Sequence, residues 1–274
     1  MLKALVRAVV PARFLAAWGF RRAERQAADA VGETPPHLDG LALPPSLLRV
    51  LVAGSADAEW FLRHGEAQAS TILAMAASHG ASLDAPTTVF EFGCGCGRLA
   101  RWIAPQAEAG GGAFTGSDLN PALVGWCADN LPGDYVRNRL KPPLPLAGAS
   151  QDLAYAYSVV THLTRPVTVA WLGEIARVLK PGGLALISFH DEDFRAEAMS
   201  DALRRDGYVV NTTLLEGSNH MAAFTTRACF AELSAPWFDV EDIRKSDPAS
   251  ETQAWAILRR RSSKSLGVRA FASK

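Results

Sequence analysis

The sequence predicts an α/β protein built on a doubly wound, largely parallel sheet. Between residues 86 and 261, short apolar runs alternate with helical patterns, the order that gives parallel strands joined by crossover helices. The run Thr87–Phe92 leads into Glu91-Phe92-Gly93-Cys94-Gly95-Cys96-Gly97, three glycines at alternate positions ahead of a helix. A further run, Asp152–Val159, is nearly all apolar apart from its tyrosines, as in a strand covered on both faces.

Ahead of the sheet, residues 1–85 read as an N-terminal helical extension with proline breaks at Pro35-Pro36 and Pro44-Pro45. Within it, Ala56 to Gly80 carries Trp60, Phe61, Ala67, Ile72, Leu73 and Met75 near helical spacing. Residues 1–20 are apolar with interspersed Lys3, Arg7 and Arg13. They are too interrupted for a membrane span and lack a clear cleavage site. Such a basic amphipathic helix packs on its own domain or makes peripheral contact with a membrane surface.

The sheet domain then unfolds in order. The strand Thr87–Phe92 is followed by a helix from Gly97 to Glu108, and Gly112–Ser117 forms a second strand ended by Asp118. Asn120-Pro121 opens the next helix, with proline where its missing N–H is harmless. Asp134–Asn138 is a short third strand and Asp152–Val159 a fourth. The helix Val167–Leu179 stops at Lys180-Pro181-Gly182-Gly183, and Leu184–Phe189 is a fifth strand. Beyond it lie a helix, Asp193–Arg205, and extended segments within Gly207–Phe224. Trp237–Ile243 and Thr252–Arg260 form a closing strand pair around Asp247-Pro248, and residues 262–274 are a polar, basic tail. A terminal hairpin after a parallel sheet places one antiparallel strand at the edge.

Composition narrows the function classes. The 274 residues are 49% hydrophobic and 20% charged, as in an ordinary globular domain with an extension. The formal net charge of zero argues against nucleic acid as substrate, since such domains carry a basic footprint. Cys94, Cys96, Cys127 and Cys229 have no zinc-ribbon spacing, and no metal site is expected. Small residues in a crowded loop are the plainer role for Cys94 and Cys96, and a reducing, cytoplasmic compartment fits this usage.

Glu91 bears on the ligand. A pyrophosphate pocket does not normally place a carboxylate just before its glycines, whereas a pocket for a cationic, amino-acid-bearing cofactor can. Asp118 stands about 20 residues beyond the glycines, the distance at which a carboxylate accepts hydrogen bonds from ribose hydroxyls. The blander role for Asp118 is to cap the helix that Asn120-Pro121 begins.

Two further stretches complete the pattern. Tyr157-Ser158-Val159-Val160-Thr161-His162-Leu163 ends the fourth strand, and Trp171 to Gly183 joins a helix to a Pro-Gly-Gly turn. With the glycine turn, Asp118 and the terminal Gln253-Ala254-Trp255-Ala256-Ile257-Leu258, they resemble the class I S-adenosylmethionine-dependent methyltransferases of small-molecule type. The resemblance covers Thr87 to Arg260. It implies a Rossmann-like seven-stranded sheet of order 3-2-1-4-5-7-6, strand 7 antiparallel. Nicotinamide-binding folds share the glycine turn and ribose carboxylate without the Pro-Gly-Gly turn and final hairpin.

The resemblance implies S-adenosyl-L-methionine as cofactor and methyl transfer by in-line displacement to a small-molecule or sugar acceptor, at oxygen among other atoms. A catalytically inactive cofactor-binding partner or scaffold is the alternative. Glu91 and Gly93 are then expected at the methionine moiety, with Gly95 and Gly97 making room for it. Asp118 binds the ribose with Leu119 nearby, Asn138, Arg139 and Leu140 line the adenine, and Ser158 lies near the methionine end. His162 and His190 follow the fourth and fifth strands, where a base for the acceptor's proton belongs; histidine suits that task near neutrality. Helix capping or loop hydrogen bonding is the plainer role for each. Arg98 suits either the cofactor carboxylate or a structural ion pair. The strand end Tyr-Ser-Val-Val speaks against amino methylation of nucleobases or glutamine. No acidic cluster suggests magnesium, and no thiolate-rich site suggests zinc. Acceptor determinants are expected in the N-terminal extension and in 207–235, with Trp60, Met221, Phe224 and Trp237 as candidate apolar walls and His64 and His220 as weaker polar ones. His37 and His79 read as surface residues.

Overall fold

The computed structural model describes residues 39–194, 200–213, 215–247 and 252–262, together with Arg25. The amphipathic segment 1–20, Pro35-Pro36, His37, the turn at Pro248 and the tail beyond 262 lie outside the described residues. Among the described residues no helix is long and apolar enough to cross a membrane.

Seven strands form one sheet: β1 (Thr88–Phe92), β2 (Ala113–Asp118), β3 (Asp134–Arg137), β4 (Gln151–Ala156), β5 (Leu179–Phe189), β8 (Phe238–Arg244) and β9 (Ala254–Arg260). A two-stranded ribbon, β6 (Tyr208–Val210) and β7 (Ala223–Thr225), stands apart from it. The sheet order is β3-β2-β1-β4-β5-β9-β8, with β1 to β5 parallel and β9 antiparallel to both neighbours. This is the expected order; the ribbon only shifts the numbering of the last two strands.

Alternation along the strands sorts the core into two layers. Phe90, Phe92, Ala154, Ala156, Ala185 and Ile187 face one side, with Trp171, Leu172 and Ile175 of α5 (Arg165–Val178) and Phe230 of α6 (Arg227–Ser234). Val89, Leu153, Tyr155, Leu184 and Leu186 face the other, under α2 (Ala58–Ser78) and α3 (Ala100–Ala109). Glu91 shares the parity of Val89 and sits opposite Tyr155 in the β1–β4 register. Its carboxylate is therefore carried into a dry layer.

Three strand boundaries differ from the pattern. Pairing of β5 starts at Leu179 opposite Gln151 and resumes at Leu184 opposite Leu153, so Lys180-Pro181-Gly182-Gly183 bulges out of a strand already begun. β4 stops at Ala156 because Ser158 adopts a left-handed φ of 59°, after which Val160–His162 makes a 3-10 turn. β3 ends at Arg137, and Asn138 N–H then donates to the Asp118 carbonyl at 3.0 Å.

The extension packs directly on the glycine turn. Asp57 caps α2 by accepting from Trp60 N–H at 3.0 Å. Ahead of it, α1 (Ser46–Ala53) ends at Gly54, and Arg49 ties it down through the carbonyls of Pro44 and Ala56. Phe61, Leu62, Cys96 and Leu123 form a small core between extension and sheet. Arg101 on α3 is fully buried and bonds Asp39 and the Leu41 carbonyl. Removing one partner of a buried pair leaves a charge without compensation, so Asp39→Ala should lower the unfolding free energy by about 3 kcal/mol, read from the urea midpoint.

Candidate functional site

A cavity of about 850 Å³ opens at the carboxyl ends of β1, β2, β3 and β4. Crevices in that position are where open parallel sheets bind ligands. Glu91, Gly93, Gly95, Asp118, Leu119, Asn138, Arg139, Leu140, Ser158 and His162 all line it. Gly97 and His190 do not stand among the lining residues.

The glycine turn is shaped by contacts within the protein. Gly95 has φ +56°, and a Cβ there would lie 2.8 Å from Val52 Cγ2 of α1. Gly97 serves packing instead: a Cβ would meet Leu131 Cδ1 at 2.1 Å, behind the turn and away from the cavity.

Asp118 organises the turn from the end of β2. Its Oδ2 accepts from Gly95 N–H at 3.0 Å and its Oδ1 from Asn120 N–H at 2.8 Å. The helix-start and loop roles therefore coexist in one carboxylate, while Asn120 itself caps α4 (Pro121–Asn130) through Ala122 N–H. Burial raises the Asp118 pKa, against the opposing backbone donors of Asn120 and Gly95.

Glu91 is 2% exposed, and Tyr155 donates its hydroxyl proton to Oε2 at 3.0 Å. Burial pushes its carboxyl up to about 8, although the Tyr155 hydrogen bond and the nearby Arg98 charge act downward. Arg98 donates to Gln68 Oε1 at 2.9 Å and lies over the Tyr157 ring, 5.2 Å from its centroid. Gln68 in turn donates to the Tyr157 hydroxyl. Arg98 thus lines the cavity while held by α2, without an ion pair among the described contacts.

At the β3 end, Asn138 is 5% exposed and its amide donates to the Arg139 carbonyl at 2.8 Å. Its Oδ1 is buried and lacks a hydrogen-bond partner among the described residues. Trp171 Nε1 donates to the Leu140 carbonyl at 2.9 Å, fixing the neighbouring wall.

His162 ends the 3-10 turn. Its Nδ1 lies 2.6 Å from the Met221 carbonyl. A carbonyl only accepts, so Nδ1 carries the proton. Burial lowers the His162 pKa, with the Met221 carbonyl pulling the other way. The ring is therefore neutral near pH 7, with Nε2 a bare lone pair. His190 is stacked on Phe194 at 4.2 Å and tilted against Phe224 at 5.2 Å. Burial, with His162 nearby, lowers its pKa to about 4, and its Nδ1 has no partner among the described residues.

The rest of the lining comes from two segments far apart in sequence. Val50, Leu51, Val52 and Gly54 contribute from α1, and Asn211, Leu215 and Gly217 to His220 from the connection between β6 and β7. That connection crosses the cavity and is pinned on both sides. Gly217 N–H donates to the His162 carbonyl at 2.8 Å, Glu216 accepts from Thr164 N–H at 2.6 Å, and Asn219 donates to the Leu51 carbonyl at 2.9 Å. Leu51 is among the last residues of α1, whose carbonyls have no partner within the helix.

Trp60, Met221, Phe224 and Trp237 are absent from the lining. Trp60 packs in the core between extension and sheet, Phe224 against Leu203, and Trp237 against the α5 core. Met221 contributes through its carbonyl. His220 lines the cavity, whereas His64 is exposed beside Trp60 and His79 pairs with Glu241 at 2.8 Å. Tyr157 and Val50 to Val52, lining residues from the fourth-strand end and the extension, carry no individual signal of that role in the sequence.

The residues present suit a nucleoside bearing an amino acid. Asp118 offers a carboxylate to hydroxyls, Asn138 an unpaired acceptor to an exocyclic amine, and Glu91 a carboxyl to an ammonium group. Residues 89–183 match the model of a family described as a methyltransferase domain. The chain is 26% identical over 246 residues to a probable S-adenosylmethionine-dependent methyltransferase of Mycolicibacterium smegmatis, with 77% of this chain and 90% of the relative aligned. It is 30% identical over 109 residues to the malonyl-[acyl-carrier protein] O-methyltransferase of Hahella chejuensis, spanning 36% of that protein. Among solved structures, an S-adenosylmethionine-dependent methyltransferase from Mesorhizobium loti superposes with TM-score 0.51 at 16% identity, over 68% of this chain and 96% of its own. Magnesium protoporphyrin IX methyltransferase from Synechocystis PCC 6803, solved with bound S-adenosylhomocysteine, gives TM-score 0.51 at 17% identity, over 95% and 100%. At such identities the structures establish the fold, and the methyltransferase-domain match over residues 89–183, the sequence relatives and the glycine turn together support a class I S-adenosylmethionine-dependent methyltransferase.

Proposed function

We propose that the enzyme methylates a small-molecule acceptor at oxygen, with His162 as the general base. The observation that carries this is the Nδ1 contact of His162 with the Met221 carbonyl at 2.6 Å, which leaves Nε2 unprotonated in a residue lining the cavity. A hydroxyl acceptor has one proton to lose, and a neutral imidazole accepts it directly.

The cofactor is read across the strand ends. Adjacent strands are ~4.8 Å apart, so β3 to β4 spans about 14 Å. Asn138, Arg139 and Leu140 are assigned to the adenine beyond β3, Asp118 and Leu119 to the ribose beyond β2, and Glu91, Gly93, Gly95 and Ser158 to the methionine end beyond β1 and β4. Gly97 supports the turn from behind. When bound, S-adenosyl-L-methionine supplies a methyl group already activated on a sulfonium. The chain's own task is to bind, align and deprotonate. Holding two reactants in line is worth about 7–11 kcal/mol. The α1 end and the crossing segment 211–220 exclude water and select the acceptor. His190 is read as packing behind His162, since its ring lies within an aromatic stack.

The test is transfer of labelled methyl from the cofactor to a panel of hydroxyl, carboxyl and amine compounds. Label on oxygen is expected; label only on nitrogen or carbon overturns the assignment. With an oxygen acceptor in hand, His162→Ala should cut turnover by about 10²–10⁴-fold while S-adenosylhomocysteine affinity stays unchanged. Because burial lowers the His162 pKa, the acid limb of the wild-type rate profile at saturating cofactor, where Glu91 is already ionised by the bound ammonium, should fall below 6.5, the ordinary histidine value. A limb at or above that value would contradict the assignment of His162 as the base.

A further inference from the structure

We propose that Gln253, at the entry to β9, and Ser188, on β5, are positioning residues that aim the Ser158 hydroxyl proton at the carboxylate on the amino-acid end of the bound cofactor. The inference rests on the cofactor reading above and adds two residues that do not line the cavity.

Three hydrogen bonds close a ring. Ser158 N–H donates to Ser188 Oγ at 2.7 Å, Ser188 O–H donates to Gln253 Oε1 at 2.7 Å, and Gln253 Nε2 donates to Ser158 Oγ at 2.9 Å. Each direction follows from the next. A backbone N–H and an amide NH₂ only donate, so Ser188 Oγ and Ser158 Oγ must accept from them. The Ser188 proton then goes to the Gln253 carbonyl, and the Ser158 proton is left over.

Within the protein its described partner is Thr161 Oγ1 at 3.2 Å. That is longer than the 2.7–2.8 Å at which hydroxyl bonds cluster, so a ligand oxygen competes for the proton easily. Ser158 is also held at φ 59°, a conformation non-glycine residues adopt when their surroundings enforce it. The Ser188 bond to its N–H is one such constraint. Ser188 is fully buried and Gln253 half-buried, so the ring is anchored behind the cavity wall that Ser158 forms.

The position selects the ligand group. Ser158 follows β4, whereas Asp118 ends β2 and Asn138 follows β3, so Ser158 faces the end of the cavity opposite the adenine assignment. At the amino-acid end of the cofactor the ammonium only donates, and the carboxylate is what accepts.

Two probes separate this from a merely structural role. S-adenosylhomocysteine carries the amino-acid end, and 5′-methylthioadenosine carries the same adenine and ribose without it. Gln253→Met keeps side-chain length and removes both bonds. Gln253→Glu keeps the acceptor for Ser188 but turns the Ser158 hydroxyl toward itself. By calorimetry, each variant should bind S-adenosylhomocysteine about 10-fold more weakly, the size of one hydrogen bond to a charged group. Affinity for 5′-methylthioadenosine should stay within about twofold, and Gln253→Met should add nothing in a Ser158→Ala background. Unchanged S-adenosylhomocysteine affinity, or equal losses for both probes, overturns the proposal. Should Gln253→Met fail to fold, Gln253→Glu decides alone. Failure of the wild type to bind either probe would sink the cofactor reading itself, whereas wild-type binding with no variant effect sinks only the role of Gln253.

Discussion

Asp118→Ala should weaken S-adenosylhomocysteine binding by about 100-fold or more, the larger of the two strongest expected effects. Three losses combine. The ribose hydroxyls lose their acceptor, Gly95 N–H loses a bond of 3.0 Å, and Asn120 N–H loses one of 2.8 Å. Each hydrogen bond to a charged group is worth ~1.5–3 kcal/mol, so removing the ribose bonds alone accounts for the stated factor. Asp118→Asn keeps one carboxamide oxygen and should fall between wild type and alanine. Gly95→Val should match the alanine variant by a different route, because its Cβ would lie 2.8 Å from Val52 and its φ of +56° disfavours a branched side chain. Calorimetric titration of the three variants, with thermal melts to establish folding, measures the order. An Asp118→Ala protein that binds as tightly as wild type would remove Asp118 from the site.

Glu91 gives the second. In the free enzyme its carboxyl titrates near 8, held up chiefly by burial. An ammonium group binds the ionised form, so cofactor affinity should rise about ninefold from pH 6 to 7, about fivefold from pH 7 to 8, and level off above. Glu91→Gln removes the charge at every pH, so its binding should be flat across this range and weaker than wild type chiefly above pH 8. The same shift has a stability consequence. The folded value, about 8, exceeds the ordinary 4.5, so the native state binds more protons than the unfolded chain between these limits. The stabilising contribution is therefore complete below pH 4.5 and lost as pH rises through 8. Urea midpoints of the ligand-free enzyme should decline over that window, and Glu91→Gln should not share the decline.

Much of the sheet was legible because its signals are local. Near-continuous apolar runs in Val89 to Phe92, broken only by Glu91, and in Leu153 to Ala156, glycines at a strand end and a proline at the first turn of α4 each act within a few residues. Asp118 and Asn138 were legible for the same reason, standing immediately at or after strand ends. The acceptor side was less so. Trp60, Phe224 and Trp237 are as apolar as cavity walls need to be, but core packing uses the same property, and they lie in the core. The crossing segment 211–220 carries no periodic pattern. Its position comes from single bonds to residues far away in sequence, Asn219 to Leu51 and Gly217 to His162. The left-handed turn at Ser158 likewise depends on Ser188 and Gln253, 30 and 95 residues further along the chain, which no local reading brings together.

That the cavity beyond β1 to β4 holds the methyl donor, with Glu91 receiving its ammonium group, is tested most directly by titrating wild-type enzyme with S-adenosylhomocysteine at pH 7 in two buffers of different ionisation heat. The account predicts one molecule bound per chain and about 0.9 proton released on binding, since a carboxyl titrating near 8 is mostly protonated at that pH. Binding with no proton release would contradict the role of Glu91, and absence of binding would contradict the site.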